Sequence, residues 1–217
     1  MAGLSGTGLV ADDLFLLAHY DVSGRPFLQP RALGLGLAGG LLAELLFAGV
    51  VRVRAGRVMV TGQGVPADGL GRHVVSVLAG EGEEPGVGEV LAFLAGTTGR
   101  DVAGRLARSG YLVRVSSRRP WRDGRWVPAD PDCAFAPVIR VRAALDPARN
   151  AAAGDVVLAG LAVACGLGPR VLPYGPPGAR RCLDAAVREL RPDLRELIAQ
   201  TQAAVDGAVL SHRRLTA

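Results

Sequence analysis

One long apolar run, residues 33–51, limits the possible folds of this chain more than any other feature. It reads LGLGLAGGLLAELLFAGVV, which is close to the length that a bilayer-spanning helix needs. Its one charged residue, Glu44, lies well inside the run, where a carboxylate surrounded by lipid is costly. A second apolar run, residues 156–169, is too short to span a bilayer. Both runs therefore predict the most buried helices of a globular core.

The rest of the chain also favours helices. Its 217 residues are 49% hydrophobic and 21% charged, which suits a globular chain with one sizeable core. Only 5% are aromatic, so aliphatic side chains must build that core. Helical spacing of apolar residues predicts helices over residues 9–20, 36–49, 71–79, 101–112, 132–145, 151–167 and 182–190, continuing to the end. We expect a mainly α fold, a single globular helical domain around a buried helix bundle (residues 9–217) after a flexible N-terminus (residues 1–8).

Two segments predict short β-hairpins rather than helices. Residues 51–60 alternate valine with arginine and break at Ala55-Gly56, which is typical of a hairpin with one polar side. Residues 114–127 form the second, with its turn at Asp123-Gly124. Between the hairpins, residues 80–88 (GEGEEPGVG) have the composition of a linker.

Positive charge is concentrated in the middle of the chain. All 25 basic residues are arginine, and residues 100–142 hold ten of them against four aspartates. Residues 1–99, in contrast, hold six arginines against nine acidic residues. A basic segment of this kind attracts polyanions: an anionic membrane, a nucleic acid or an acidic partner.

The second hairpin combines this charge with the only two tryptophans of the chain, Trp121 and Trp126. Tryptophan favours the membrane–water interface and arginine neutralises phosphate, so the hairpin is a candidate membrane contact. The alternative is a solvated turn whose tryptophans pack on the body of the domain. The arginines around the tryptophans are Arg114, Arg118, Arg119, Arg122 and Arg125.

A winged-helix nucleic-acid module is a second interpretation of the same region. A helix that ends at Gly110 and leads into a basic hairpin matches the order of a recognition helix and its wing. That helix contains Arg105 and Arg108 but no Asn, Gln or Lys to read base edges. Nucleic acid is therefore the less favoured partner.

The sequence offers no convincing catalytic, metal or cofactor site. Gly34, Gly36 and Gly39 spell a GxGxxG dinucleotide motif, yet Pro30-Arg31-Ala32 precedes it where a buried strand should stand. Close packing of a small-residue helix is the favoured interpretation. Asp12-Asp13 suit the start of a helix better than a metal pair. The histidines and cysteines lack the spacing of catalytic or metal sites, and they are His19, His73, His212, Cys133, Cys165 and Cys182. We expect no enzyme activity, no cofactor and no metal.

The order of sequence blocks resembles the Golgi phosphoprotein 3 family and its bacterial, especially actinobacterial, relatives. The blocks are ADDLFLLAHYDVSGRP, GLAGGLLAELLFAGVVRVRAGRVMV, GRLARSGYL before a hairpin, and LAGLAVACGLGPRVLP. The resemblance implies a mostly helical domain around a buried helix bundle, with a protruding hairpin (residues 114–127) that mediates self-association. It also implies a peripheral membrane protein that binds phosphatidylinositol 4-phosphate on the cytosolic face and acts as an adaptor for membrane enzymes.

The lipid pocket of the family is altered in this sequence. Where the family has a tryptophan before the second helix, this chain has Leu28 or Gln29, and Ala38 replaces an arginine within that helix. Two further family arginines align near Gly96 and Gly99. Arg31 and Arg100 are the nearest remaining donors, so we expect head-group binding by Arg31, Arg100 and the hairpin arginines. We predict a cytoplasmic protein that associates reversibly with anionic membrane; the alternatives are the nucleic-acid module and a protein-interaction scaffold without lipid binding.

Overall fold

Helices dominate the computed structural model, which describes residues 6–80, 84–115, 125–146 and 149–216. For Pro131, Cys133, Ala134, Tyr174 and residues 212–216 it describes the backbone only. The helices are α1 (Val10–Leu17), α2 (Pro30–Phe47), α3 (Gly69–Gly80), α4 (Val87–Leu94), α5 (Thr98–Arg108), α6 (Pro131–Leu145), α7 (Ala153–Ala162), α8 (Gly168–Val171), α9 (Ala179–Glu189) and α10 (Pro192–Thr216). A π turn (Val163–Leu167) joins α7 to α8, and a 3-10 turn (Leu172–Tyr174) follows α8. The predicted mainly α fold is confirmed.

Helix α2 is the centre of the hydrophobic core. Every residue from Ala32 to Ala43 is buried, and α1, α4, α5, α7 and α10 all pack against it. The helix begins at Pro30, not at the predicted Gly36, because proline at the first helical position has its φ preset and needs no hydrogen bond from its nitrogen. The buried helix therefore begins six residues before the start that the sequence predicted.

The glycines of the GxGxxG motif allow neighbouring segments to approach α2 closely. A Cβ atom added at Gly34 would lie 2.3 Å from the carbonyl oxygen of Ala95, and one at Gly36 would lie 2.1 Å from Sγ of Cys165. At Gly39 it would lie 2.8 Å from Oγ1 of Thr201. All three distances are too short for a real side chain. The packing interpretation of this motif is thereby confirmed.

Among the described residues, two helical stretches have the length and composition of a membrane span. They are Pro30–Phe47, whose mean hydropathy is 1.3, and Ala153–Val171, whose mean hydropathy is 1.4. The prediction that the second apolar run is too short is wrong, because its helical stretch extends beyond residues 156–169 at both ends. Within the fold, 78% of the first and 67% of the second is buried. Core helices pass the same test of length and composition, and extensive burial by other helices is what the sequence predicted for both runs.

Both hairpins are present as two-stranded antiparallel sheets. In the first, β1 (Val51–Arg54) pairs with β2 (Arg57–Val60), and the two turn residues Ala55 and Gly56 both have positive φ. In the second, β3 (Leu112–Val115) pairs with β4 (Arg125–Pro128). Leu112 is buried whereas residues 113–115 are exposed, so β3 leaves the body of the domain. The predicted turn at Asp123-Gly124 lies outside the described residues.

Helix α4 was not predicted, since its first residues fall in the segment interpreted as a linker. The carboxylate of Glu89 accepts a hydrogen bond from the backbone N–H of Gly86, which fixes the start of the helix. Pro85 is tied to the first hairpin because its carbonyl accepts a hydrogen bond from the N–H of Val58. The glycine-rich composition of residues 80–88 gave no sign in the sequence of the helix start or of the contact between Pro85 and the first hairpin.

Candidate functional site

A depression between α3 and α5 brings arginine and histidine side chains together at the surface. Its volume is about 570 Å³. Arg100 and Arg108 are exposed there, and neither forms an ion pair with another residue that the structure describes. Its lining residues, which we call the basic depression, are Gly69, Leu70, His73, Thr97, Arg100, Asp101, Gly104 and Arg108. With one carboxylate against two guanidinium groups, this surface attracts anions.

The spacing of residues along α5 places these arginines on one face. Arg100 and Arg108 are eight residues apart, which corresponds to about 12 Å along a helix. Gly104 lies between them and also lines the depression. A Cβ there would be in ordinary van der Waals contact with Nη1 of Arg108, at 3.4 Å. The opposite face, with Val102 and Leu106, is buried. Gly110 then adopts φ 79° and turns the chain into β3.

The base of the second hairpin adds more exposed positive charge. Arg114 on β3 and Arg125 on β4 are both exposed, and neither is ion-paired within the described ranges. Helix α5 packs directly against β3. The exposed arginines of α5 and the hairpin base therefore belong to neighbouring elements.

A third arginine of α5 points into the protein. Arg105 is only 5% exposed and contacts three carboxylates from three other segments. Its Nε lies 2.8 Å from Asp12, and its Nη1 lies 2.9 Å from Glu44 and 3.1 Å from Asp68. Its Nη2 also donates to Glu44, so that pair is bidentate. This ionic cluster connects α5 to α1, α2 and the segment before α3.

Asp12 and Asp13 lie in the first turn of α1, as the sequence predicted, and both are buried. Asp12 pairs with Arg105, while Asp13 pairs with Arg140 of α6 and accepts hydrogen bonds from Thr7. Two of the ten arginines in residues 100–142 are thus neutralised inside the fold. The sequence did contain a signal, because Arg105 falls on the apolar stripe of its helix and Glu44 within an apolar run.

Burial and charge shift the pKa values of this cluster in different directions. Burial raises the pKa of Asp12 to about 7, although Arg105 opposes the shift. Burial also raises the pKa of Glu44. For Asp68 burial acts in the same sense, but hydrogen bonds from Gly71 and Arg105 outweigh it and lower the pKa. Asp12 therefore titrates near neutral pH.

This shift predicts an unusual dependence of stability on pH. Between about pH 4 and pH 7 the folded state binds more protons at Asp12 than the unfolded state, whose pKa is 3.8. The contribution of Asp12 to the free energy of unfolding therefore falls as pH rises through this window and levels off above it. Asp12→Asn removes the titration, so urea unfolding should show a smaller loss of stability from about pH 5 to about pH 7.5 than wild type.

A second titratable side chain, His19, lies just after α1 and acts in the opposite sense. Burial lowers the pKa of His19, so its contribution to stability is lost as pH falls below about 6.5. Wild type and Asp12→Asn both keep His19, so its effect cancels when the pH profile of one is subtracted from that of the other. Identical pH profiles for wild type and Asp12→Asn would contradict the raised pKa of Asp12.

The predicted head-group residues Arg31 and Arg100 occupy different places. Arg100 lines the basic depression, whereas Arg31 lines a separate depression that α2 forms with α4 and α10. Ala38, at the position of a family arginine, is fully buried in the core. His73 and Arg108, which line the basic depression with Arg100, were not predicted as site residues.

The hairpin residues are only partly described. Arg125 is exposed at the start of β4, and Trp126 is half-buried and packs against the core. Their roles in lipid binding and self-association stay predictions. The other predicted hairpin residues, Arg118, Arg119, Trp121 and Arg122, lie outside the described residues.

A helical domain built around one buried helix, with two hairpins and an exposed arginine-lined depression, defines a class of architecture rather than an activity. A model of the family described as Golgi phosphoprotein 3 (GPP34) matches residues 10–210. The chain belongs to that family, and the resemblance of its sequence blocks is confirmed. The comparison with curated proteins gave no significant match.

Proposed function

We propose that this chain is a non-enzymatic peripheral membrane protein that attaches reversibly, from the cytoplasmic side, to anionic phospholipid head groups. Membership of the Golgi phosphoprotein 3 family supports the proposal, since eukaryotic members bind phosphatidylinositol 4-phosphate. The observation that carries it is the basic depression, where the exposed Arg100 and Arg108 have no ion-pair partner within the described part of the chain. Phosphatidylinositol 4-phosphate is one member of the lipid class that such a site accepts.

The strength of attachment follows from the number of free arginines. Each arginine near an anionic membrane surface contributes about 1 kcal/mol. Arg100 and Arg108, with Arg114 and Arg125 at the hairpin base, can together hold the protein on a membrane without a lipid anchor. An adaptor role for membrane enzymes and self-association through residues 114–127 are parts of the same proposal, and both rest on the family resemblance.

The winged-helix alternative loses support from the position of Arg105. The helix predicted over residues 101–112 offered Arg105 and Arg108 to nucleic acid, but Arg105 is buried among three carboxylates. The exposed arginines of α5 are Arg100 and Arg108, and the helix has no Asn, Gln or Lys to read base edges.

Co-sedimentation with vesicles tests the proposal. We expect wild type to bind vesicles of phosphatidylcholine with phosphatidylglycerol, to release them at high salt, and to bind pure phosphatidylcholine weakly. Arg100→Ala/Arg108→Ala should lower the affinity for the anionic vesicles roughly 30-fold, which corresponds to about 2 kcal/mol.

A matched pair of arginines provides the control. Arg52 and Arg54 on β1 are also exposed and have no ion-pair partner among the described residues, so Arg52→Ala/Arg54→Ala removes the same charge elsewhere. We expect this control to retain most of the vesicle binding. Equal loss in both double variants would assign the binding to net charge and not to the basic depression. Equal binding of wild type to neutral vesicles would refute the proposed function.

A further inference from the structure

An apolar groove lies between α3 and α4. It has a volume of about 390 Å³, and its lining is apolar except for Glu89. The lining residues are Val74, Val77, Leu78, Pro85, Glu89, Val90, Phe93 and Leu94. Phe93 is 65% exposed at this groove, which is unusual for a large aromatic side chain. The carboxylate of Glu89 accepts a hydrogen bond from the N–H of Gly86 at the start of α4.

The groove and the basic depression share two walls. On α3, Leu70 and His73 line the depression, and Val74 and Val77 line the groove one turn further along the helix. Side chains four residues apart on a helix are neighbours on its surface. The second wall continues in the same way, because α4 contributes Phe93 to the groove and the following turn contributes Thr97 to the depression. By this spacing the groove and the basic depression are adjacent, and we call the pair the trough; it is apolar at one end and cationic at the other.

We propose that this trough holds a single anionic lipid, with its head group at Arg100, Arg108 and His73 and an acyl chain along the α3–α4 groove. The inference rests on the proposed function and adds that one lipid molecule is bound in a defined site. Charge complementarity argues for this occupant. Both guanidinium groups lie in the depression, and none lies in the groove. The trough also contains two carboxylates that repel an anion, Asp101 in the depression and Glu89 in the groove.

The acyl chain explains the exposed phenylalanine. An aliphatic chain that lies against Phe93 and Val77 removes their apolar surface from water together with its own. Each methylene group transferred from water to such a surface strengthens binding roughly fourfold. A lipid with its chain in the groove must therefore bind much more tightly than its isolated head group.

Calorimetric titration with dihexanoyl phosphatidylglycerol, kept below its critical micelle concentration, tests the inference on the full chain. We expect saturable binding of one lipid per protein. Glycerophosphoglycerol, the deacylated head group with the same single phosphodiester charge, should bind roughly 100-fold more weakly if three or four methylene groups enter the groove. Dihexanoyl phosphatidylcholine should bind more weakly than the anionic lipid, since its head group has no net charge.

Variants separate the two ends of the trough. Phe93→Ser and, independently, Val77→Asn should weaken binding of the short-chain lipid about tenfold or more and leave glycerophosphoglycerol unchanged. Phe135→Ser is the matched control, because Phe135 on α6 is a 55% exposed aromatic outside the trough. It should change neither affinity. Arg100→Ala/Arg108→Ala should weaken both ligands.

Several outcomes overturn the inference, and they differ from failure of the proposed function. Equal affinity for the lipid and for glycerophosphoglycerol, or equal effects of Phe93→Ser and Phe135→Ser, would exclude the acyl chain from the groove. If neither dihexanoyl phosphatidylglycerol nor dihexanoyl phosphatidylcholine binds, the groove is a protein-docking groove, and the inference is likewise overturned. In each case binding to anionic vesicles can persist, which leaves the proposed function intact. The proposed function itself is refuted by wild type that does not bind anionic vesicles, or that binds neutral ones equally well.

Discussion

Arg105→Met is expected to lower the free energy of unfolding by about 3–5 kcal/mol at about pH 8. The substitution removes the one guanidinium group that contacts Asp12, Glu44 and Asp68, and it leaves their carboxylates without that compensating charge. Breaking a buried ionic cluster by removing one partner is far more damaging than replacing the whole cluster with apolar groups. Urea unfolding followed by circular dichroism measures the change.

The pH dependence of this loss identifies its cause. At about pH 5 Asp12 is largely protonated in the native protein, because burial raises its pKa to about 7, and burial raises the pKa of Glu44 as well. Protonation relieves the unpaired charge, so Arg105→Met should be less damaging at about pH 5 than at about pH 8. A loss of simple packing volume would be the same at both pH values.

A neighbouring arginine on the same helix supplies the control. Arg108 is exposed and has no ion-pair partner in the described parts of the chain, so Arg108→Met should change the stability by less than about 0.5 kcal/mol. The loss of stability for Arg105→Lys should lie between those of Arg105→Met and Arg108→Met. Lysine restores the charge but cannot form the bidentate pair with Glu44. If Arg105→Met were as mild as Arg108→Met, the cluster would not contribute to stability.

The sequence was sufficient to predict the elements whose signals are local. Alternation of valine and arginine gave the first hairpin, and the apolar run around Glu44 gave the buried α2. Helix α5 ends close to its expected stop at Gly110, where a positive φ favours glycine. Helix α4 was missed because four of the nine residues in the preceding segment are glycine, which conceals the capping of its start by Glu89.

The site could be predicted only in part, because it depends on contacts between distant segments. Arg100 was singled out from the sequence and does line a surface depression. That Arg31 lies in a different depression could not be inferred, since it depends on how α2 packs against α4 and α10. The pairing of Arg105 with Asp12, 93 residues away, likewise has no local signature beyond charges at apolar positions.

Gly34→Ala should lower the free energy of unfolding by about 2 kcal/mol, although alanine is the better helix former. A Cβ at this position would lie 2.3 Å from the carbonyl oxygen of Ala95. That oxygen belongs to the backbone of the turn between α4 and α5, so it cannot move aside as a side chain can. Either α2 or the turn must shift, and overpacking of this kind costs about 1–3 kcal/mol.

Gly207→Ala makes the same chemical change in a helix without the close approach. Gly207 is exposed on α10, and a Cβ there meets nothing within 4 Å. Alanine should therefore raise the free energy of unfolding by about 0.5–1 kcal/mol through helix propensity alone. The difference between the two variants, measured by urea unfolding, isolates the packing cost at Gly34. A stabilising effect of Gly34→Ala would contradict the close contact of α2 with the α4–α5 turn, and with it the position of Thr97 at the basic depression.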